Sequence, residues 1–231
     1  MKILGCWYSN NGIHPKIIHS SLQSIYNAKE MSQKANVNVV TCNWSHIQNN
    51  PFPEYITLYK MGVHLGIILQ ILRILYEENK KGNHYDAVSF LEHDVLYPDD
   101  YFDRIDSGFC SNPLVVMNLD YIGMNHTGWL DVVQRDEPLH QMSMQYNYAI
   151  GHMNDVLQKA ILNGNVILEK NNCSTVRILF RGDKPSCHMN HSKHFTNHYD
   201  CYAKNSGGKV EHDYWGHYRK YYPDEEKSAQ K

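Results

Sequence analysis

The sequence predicts a single α/β domain, an α/β/α sandwich in which a mostly parallel central sheet lies between helices. Strand and helix patterns alternate from the amino terminus through the first three strands, which is typical of parallel sheets with crossover helices. The chain has 231 residues, enough for one sizeable core, and no linker separates two domains. A hydrophobic fraction of 42% and a net charge of -2 indicate a folded globular protein. We expect one domain over residues 1–222 and a flexible tail over 223–231.

The first two strands flank an amphipathic helix. Residues 2–8 are mostly apolar and predict a strand that ends in the polar turn Ser9-Asn10-Asn11-Gly12. Pro15 fits the first turn of a helix, where a backbone N–H is not needed. Apolar residues then recur at helical spacing to about residue 34, and a β-branched run over 37–41 predicts the second strand.

The elements that follow are predicted from the same two periodicities. Residues 61–78 are apolar nearly all round and predict a buried helix, and 85–91 predict a strong third strand. Further along we expect a short acidic helix over 99–105, a strand over 113–119, helical spacing from 137 to 144, a helix over 152–162, and strands over 165–169 and 176–181.

Polar side chains follow two of these strands directly. Glu92-His93-Asp94 comes after the third strand, and Ser9-Asn10-Asn11 after the first. Ligands of open parallel sheets bind outside the carboxyl ends of the strands. Glu92 and Asp94 are two residues apart, so in an extended segment their carboxylates project to the same side, as suits a divalent cation such as Mg²⁺ or Mn²⁺. The alternative is a solvated acidic loop.

Residues 85–98, with the sequence YDAVSFLEHDVLYP, resemble a segment of the GT-A glycosyltransferases. In that family a hydrophobic strand leads into an Asp-x-Asp pair, a hydrophobic residue and proline. The stretch Ser21-Leu22-Gln23-Ser24-Ile25 is similar to the helix after the family's first strand. The resemblance covers residues 1 to about 202, and only its middle segment is specific. It implies a Rossmann-like GT-A fold, a nucleoside-diphosphate sugar as donor, usually UDP-linked, and a Mn²⁺ or Mg²⁺ cofactor.

The resemblance also implies roles for individual residues. Asp94 would be a metal ligand, and Glu92, which stands where the family has its first aspartate, a ligand or a ribose contact. Ser9, Asn10 and Asn11 would lie near the nucleotide. The metal would act as a Lewis acid that stabilises the leaving nucleoside diphosphate.

Histidine is unusually abundant, with 15 residues, six of them between positions 188 and 217. In the GT-A family a distal histidine often completes the metal site, and the resemblance implies His191, His194 or His198 for this role. These three lie at i, i+3 and i+7, so on a helix they would share one face. A separate zinc site and an ordinary polar surface are the alternatives.

An inverting transfer needs a base to activate the acceptor hydroxyl. Asp136 and Glu137 are the candidates in the middle of the chain. Their position before Pro138 also suits the start of a helix, where negative charge is favoured for structural reasons. A retaining transfer would need no such base.

The sequence restricts the identity of the acceptor less, but it bears on the compartment and the source of the protein. The chain has no signal peptide and no apolar segment that spans a bilayer, so we expect a cytoplasmic protein without membrane insertion. Six scattered cysteines without a C-x-x-C pair predict free thiols. The 22 Asn and 17 Tyr have AT-rich codons, which indicates an AT-rich bacterial, phage or viral source.

Some phage glycosyltransferases modify hydroxymethylated pyrimidines in DNA, and the Lys- and Tyr-rich carboxyl-terminal quarter suits phosphate contact and base stacking. A 5-hydroxymethylpyrimidine in phage DNA is therefore one predicted acceptor, reached in the host cytoplasm. A saccharide acceptor fits the same residues. Two other classes stay open: a His/Asp metal-dependent hydrolase or nuclease, and a noncatalytic binding module stabilised by zinc.

Overall fold

The computed structural model describes residues 1–57, 63–118, 121–125, 128–130, 142–163, 176–179, 184–189 and 209–222. Its main sheet has seven strands, which are β1 (Lys2–Ser9), β2 (Asn36–Asn43), β3 (Glu54–Ile56), β4 (Ala87–Glu92), β6 (Val115–Asn118), β9 (Met142–Gln145) and β10 (Val176–Leu179). They lie in the order β10-β6-β9-β4-β1-β2-β3. Within the described ranges every neighbouring pair is parallel except the two that involve β9. The predicted mostly parallel sheet is confirmed.

In the part of the chain that the structure describes, four helices cover the two faces of this sheet: α1 (Pro15–Met31), α2 (Val63–Lys80), α3 (Tyr101–Gly108) and α4 (Tyr146–Asn163). One core cluster joins α1 and α3 to Ile3, Trp7 and Leu91. A second cluster joins α2 and α4 to Leu4, Cys6 and other residues of the opposite face. Side chains alternate between faces along a strand, so β1 contributes to both clusters. This arrangement is the predicted α/β/α sandwich.

Helix α1 begins where the sequence predicts. Pro15 occupies its first turn, and the Nδ1 atom of His14 accepts the backbone N–H of Lys16 at 3.1 Å. Ile17, Leu22 and Ile25 are buried along one side. The helix ends at Met31, three residues before the predicted limit.

A smaller second sheet is built from β5 (Val95–Leu96), β7 (Tyr121–Asn125), β8 (Gly128–Leu130) and β11 (Ser186–Met189), in the order β5-β11-β7-β8. Two further short strands, β12 (Glu211–His212) and β13 (Gly216–His217), pair with each other. The turn at residues 93–94 carries the chain from the main sheet into the second one. The acidic segment singled out in the sequence therefore lies where the two sheets meet.

One expectation from the sequence is wrong, and one strand lacks a clear sequence pattern. The helical spacing predicted from 137 to 144 includes Met142 and Met144, which belong to strand β9. This strand is buried on both faces and pairs on both sides, so its residues show no period-two alternation. The sequence also shows no clear strand or helix pattern after residue 181, yet strand β11 (Ser186–Met189) forms there. Residues 165–169 and the tail over 223–231 lie outside the described residues.

Four of the six cysteines lie among the described residues. Cys6, Cys42, Cys110 and Cys187 are free thiols, and three of them are buried. Burial raises the pKa of the Cys42 thiol to about 12, which keeps it protonated and inert. Among the described residues, no helix combines the length and the apolar character needed to cross a bilayer.

Candidate metal and nucleotide site

The carboxyl ends of three adjacent parallel strands define one edge of the main sheet. Tyr8 of β1 is in register with Glu92 of β4, and Ser9 is in register with Asn43 of β2. Ser9 and Asn43 are buried although they are polar. This edge therefore brings together the two polar segments that the sequence placed after the first and third strands.

Glu92 is held by a network around its side chain and its backbone. The Tyr8 hydroxyl donates to Glu92 Oε1 at 2.8 Å, which follows from the register of β1 and β4. The Glu92 N–H donates to the Tyr97 hydroxyl at 2.8 Å, and the Ser21 hydroxyl donates to the Glu92 carbonyl at 3.0 Å. Burial raises the pKa of Tyr8, and the nearby Glu92 carboxylate raises it further, so its hydroxyl keeps its proton.

Asp94 contacts a histidine from a distant part of the chain. His188 Nε2 lies 3.1 Å from Asp94 Oδ2. Strand β11 carries His188 into this position because it pairs antiparallel with β5, with His188 opposite Val95. The Met189 N–H also donates to the Asp94 carbonyl at 2.7 Å. Asp94 is only 8% exposed, so its carboxylate is largely shielded from water.

Glu92, Asp94 and His188 form a group that fits a divalent cation. One ligand atom from each lies within 4.8 Å of the others. Ligands on opposite sides of an ion at about 2.1 Å lie roughly 4.2 Å apart, so small side-chain adjustments complete the fit. A set of two carboxylates and one imidazole suits Mn²⁺ or Mg²⁺ better than a metal ion that prefers thiolate ligands. Two carboxylates this close also repel each other, and a cation between them would relieve that repulsion.

The loop after β1 is ordered by its own polar side chains. The Ser9 hydroxyl accepts the N–H of Asn11 at 2.9 Å and lies 2.8 Å from His93 Nδ1. Asn11 adopts a left-handed φ of 55°, which asparagine tolerates better than most residues. Its side-chain carbonyl accepts the backbone N–H groups of Trp44 and Ser45 at 3.0 and 3.2 Å. The Asn11 side chain thus links the loop after β1 to the loop after β2.

The side chains of Asn10 and Gln70 also hold this loop through hydrogen bonds to the backbone. Asn10 Oδ1 accepts the N–H of Gly12 at 2.9 Å. Gln70 of α2 is 2% exposed, and its amide donates to the carbonyls of Ser9 and Cys42 at 2.7 and 2.8 Å. A buried amide that satisfies two strand ends at once fixes their relative position.

The structure brings together part of the set predicted from the sequence. Glu92 and Asp94 lie together with a third ligand candidate, His188, and Ser9 contacts their neighbour His93. The base candidates Asp136 and Glu137 lie outside the described residues, as do His191, His194 and His198.

Sequence reasoning missed His188 as a ligand candidate. The signal in the sequence is that the apolar residues Cys187 and Met189 flank it. In the structure both are fully buried while His188 is not. Such alternation predicts a strand whose intervening side chain faces another way.

Comparisons with known proteins show which solved structures have a similar fold. No family model matches the sequence, and no curated protein matches it. A solved structure of S. aureus TarS 1-349 in complex with UDP-GlcNAc is similar over 85% of this chain and 62% of that one, with 14% identity and a TM-score of 0.54. The S. aureus TarS 1-349 complex with UDP is similar over 82% and 61%, with 15% identity and a TM-score of 0.53.

These likenesses concern architecture alone. The chain spans about three fifths of the length of these two TarS structures. At this level of identity, a common fold is the conclusion that the comparison supports. Together with the sheet order and the covering helices, it identifies the fold as a GT-A-like α/β/α domain with a largely parallel central sheet.

Proposed function

We propose that the protein is a metal-dependent glycosyltransferase that moves a sugar from a nucleoside-diphosphate sugar to an acceptor hydroxyl. The observation that carries the proposal is the convergence of Glu92, Asp94 and His188 at the carboxyl edge of a parallel sheet. The fold likeness adds support, since the two TarS structures were solved in complex with UDP-GlcNAc and with UDP.

In this proposal the three ligand candidates hold Mn²⁺ or Mg²⁺. When bound, the cation supplies positive charge that stabilises a leaving diphosphate. The Tyr8 hydroxyl orients Glu92, and the strand pairing between β5 and β11 orients His188. Ser9, Asn10 and Asn11 would lie beside the nucleotide, and UDP is the nucleotide that we propose.

Several finer assignments also stay proposals. Asp136 or Glu137 would take the proton of the acceptor if the transfer inverts configuration. His191, His194 or His198 would be a further ligand or an alternative to His188. Mutating each of these residues in the active enzyme would distinguish them.

A 5-hydroxymethylpyrimidine in phage DNA stays our proposed DNA acceptor, with the host cytoplasm as its compartment. Lys209, Arg219 and Lys220 are exposed and suit phosphate contact. Trp215, Tyr218 and Tyr222 are buried, so these three rings stabilise the core instead of offering open faces for stacking. The test is transfer of label from a UDP-sugar to hydroxymethylated DNA, with unmodified DNA as control.

The two other classes predict different ligand sets. A two-metal hydrolase or nuclease needs a second group of ligands, and the described residues contain one group of three. A structural zinc module favours four cysteine and histidine ligands, whereas this group contains two carboxylates. Both observations favour a single hard cation beside a phosphate-containing substrate.

One screen tests the proposal. The protein is incubated with UDP-, GDP- and ADP-sugars and Mn²⁺, release of nucleoside diphosphate is measured, and the assay is repeated with EDTA. We expect release from one class of donor, its loss with EDTA, and its loss in Asp94→Asn. Asp155→Asn is the matched control, because Asp155 is an exposed aspartate on α4. Full activity of folded Asp94→Asn would contradict the proposal.

A further inference from the structure

A groove runs along one flank of helix α1. It has a volume of about 1000 Å³, and its walls are α1 on one side and residues 214–221 on the other. This volume is at the upper end of the roughly 300–1,000 Å³ of small-molecule sites. None of Glu92, Asp94 and His188 lines it. We propose that this groove binds a neutral oligosaccharide.

The helix wall offers groups that match sugar hydroxyls. Gln23, Asn27 and Ser20 line the groove, and the first two are exposed. Gln23 Nε2 donates to Asn27 Oδ1 at 2.9 Å, which holds the two amides side by side. An amide carries both donors and an acceptor, so it can bond a hydroxyl in either role. Spacing of i and i+4 places both amides on one face of the helix.

The opposite wall offers the half-buried rings of Tyr214 and Tyr221, which the buried Trp215 holds in position. Tyr214 and Trp215 make an edge contact with their centroids 4.7 Å apart, and Trp215 and Tyr221 make another at 5.8 Å. Trp215 is buried, and its indole N–H donates to the Pro185 carbonyl at 2.8 Å, while the two tyrosines are half-buried. Sugars present apolar C–H faces as well as hydroxyls, and a rigid ring with a polar tip suits both.

Among the described residues, those that line the groove carry no excess of positive charge. Its charged lining residues are Lys16, Lys220, Glu30 and Asp99, so two positive and two negative charges cancel. Asp99 is paired with Lys184 at 2.8 Å, and Lys16 Nζ donates to the Arg219 carbonyl at 2.9 Å. A DNA-binding groove needs an excess of positive charge facing the phosphates. This groove has none among its described lining residues, which favours an uncharged ligand.

Tyr97 connects the groove to the candidate metal site. It contributes to the groove floor, its N–H donates to Ser24 Oγ at 3.0 Å, and its hydroxyl accepts the N–H of Glu92. A saccharide chain in the groove would therefore lie next to Tyr97, the residue whose hydroxyl contacts the Glu92 backbone. The binding itself needs no sugar transfer, so this inference stands independently of the proposed function.

The test is direct binding of maltohexaose, cellohexaose and chitohexaose, measured by isothermal titration calorimetry. We expect at least one to bind, and the double substitution Gln23→Ala with Asn27→Ala to weaken that binding at least about tenfold. Alanine at exposed helix positions preserves the helix. The matched control is Asn154→Ala with Gln158→Ala, two exposed residues with the same spacing on α4, which should leave the affinity unchanged.

Two further measurements distinguish this inference from the proposed function and from DNA binding. Asp94→Asn should bind the saccharide as the unsubstituted protein does, even if it loses all transfer activity, so the two proposals fail independently. A single-stranded DNA oligonucleotide serves as the competing ligand. The inference is overturned if no hexasaccharide binds, if the Gln23 and Asn27 substitutions leave binding unchanged, or if those substitutions weaken binding of DNA alone.

Discussion

Removing the Tyr8 hydroxyl tests how Glu92 is positioned. Tyr8→Phe deletes one oxygen from a side chain that is 3% exposed and keeps its ring in the core. The lost bond is the 2.8 Å contact to Glu92 Oε1. A hydrogen bond to a charged group contributes about 1.5–3 kcal/mol, and we expect the lower end because Glu92 is partly exposed and water can replace the hydroxyl.

The same substitution should weaken Mn²⁺ binding at least about as much as it weakens the fold. Groups that orient a metal ligand typically contribute 10–100-fold to affinity, about 1.4–2.7 kcal/mol. Calorimetric Mn²⁺ titration and urea unfolding measure the two effects separately. Tyr146→Phe is the control, since Tyr146 is also buried but its hydroxyl makes only a 3.5 Å contact with the Leu75 carbonyl. Mn²⁺ affinity of Tyr8→Phe within twofold of the unsubstituted protein would refute the positioning role.

Three further predictions concern stability, each measured by urea unfolding. Glu78→Gln should lower the free energy of unfolding by about 2–3 kcal/mol, because the buried carboxylate accepts bonds from Tyr85, Asn83 and Lys81 at 2.7–2.8 Å; an unchanged value would contradict this. Burial alone would raise the pKa values of Glu78 and Asp103, but hydrogen bonds outweigh it and hold both below their ordinary 4.5 and 3.8. Their contribution is complete above those values and is lost as the pH falls through the lower folded values, so stability should drop below about pH 4.5; a stability independent of pH there would oppose it. Gly5→Ala should cost about 1–2 kcal/mol, since its Cβ would lie 2.9 Å from Leu91 Cδ1 and 3.1 Å from Val39 Cγ2; a neutral result would mean that the core yields.

The parts of the fold that the sequence predicts are those with strong local signals. β1 and β4 are apolar runs that end in polar turns, and α1 has a proline at its start and helical spacing along its length. These patterns depend on neighbours along the chain, so reading them needs no tertiary information. Glu92 and Asp94 are predictable as ligand candidates for the same reason, because they directly follow a strand.

The remaining features depend on contacts between distant segments. β9 is short and buried on both faces, so its three buried residues Met142, Ser143 and Met144 fit a helix or a strand equally well. His188 reaches Asp94 only because β11 pairs with β5 across more than 90 positions of sequence. Its apolar neighbours Cys187 and Met189 are the local feature that sets it apart from the histidines at 191, 194 and 198. Choosing among them requires knowledge of which strands pair.

The central claim is that Glu92, Asp94 and His188 hold one divalent cation. An electron paramagnetic resonance titration of Mn²⁺ in the presence of UDP tests it most directly, with the unsubstituted protein, Asp94→Asn and the control Asp155→Asn compared. We expect one Mn²⁺ per chain in the first and the last. In Asp94→Asn the affinity should be at least about 100-fold weaker, since losing a ligand costs no less than losing its supporting partner. Equal Mn²⁺ affinity in Asp94→Asn and the unsubstituted protein, or no Mn²⁺ binding by the unsubstituted protein, would contradict the claim.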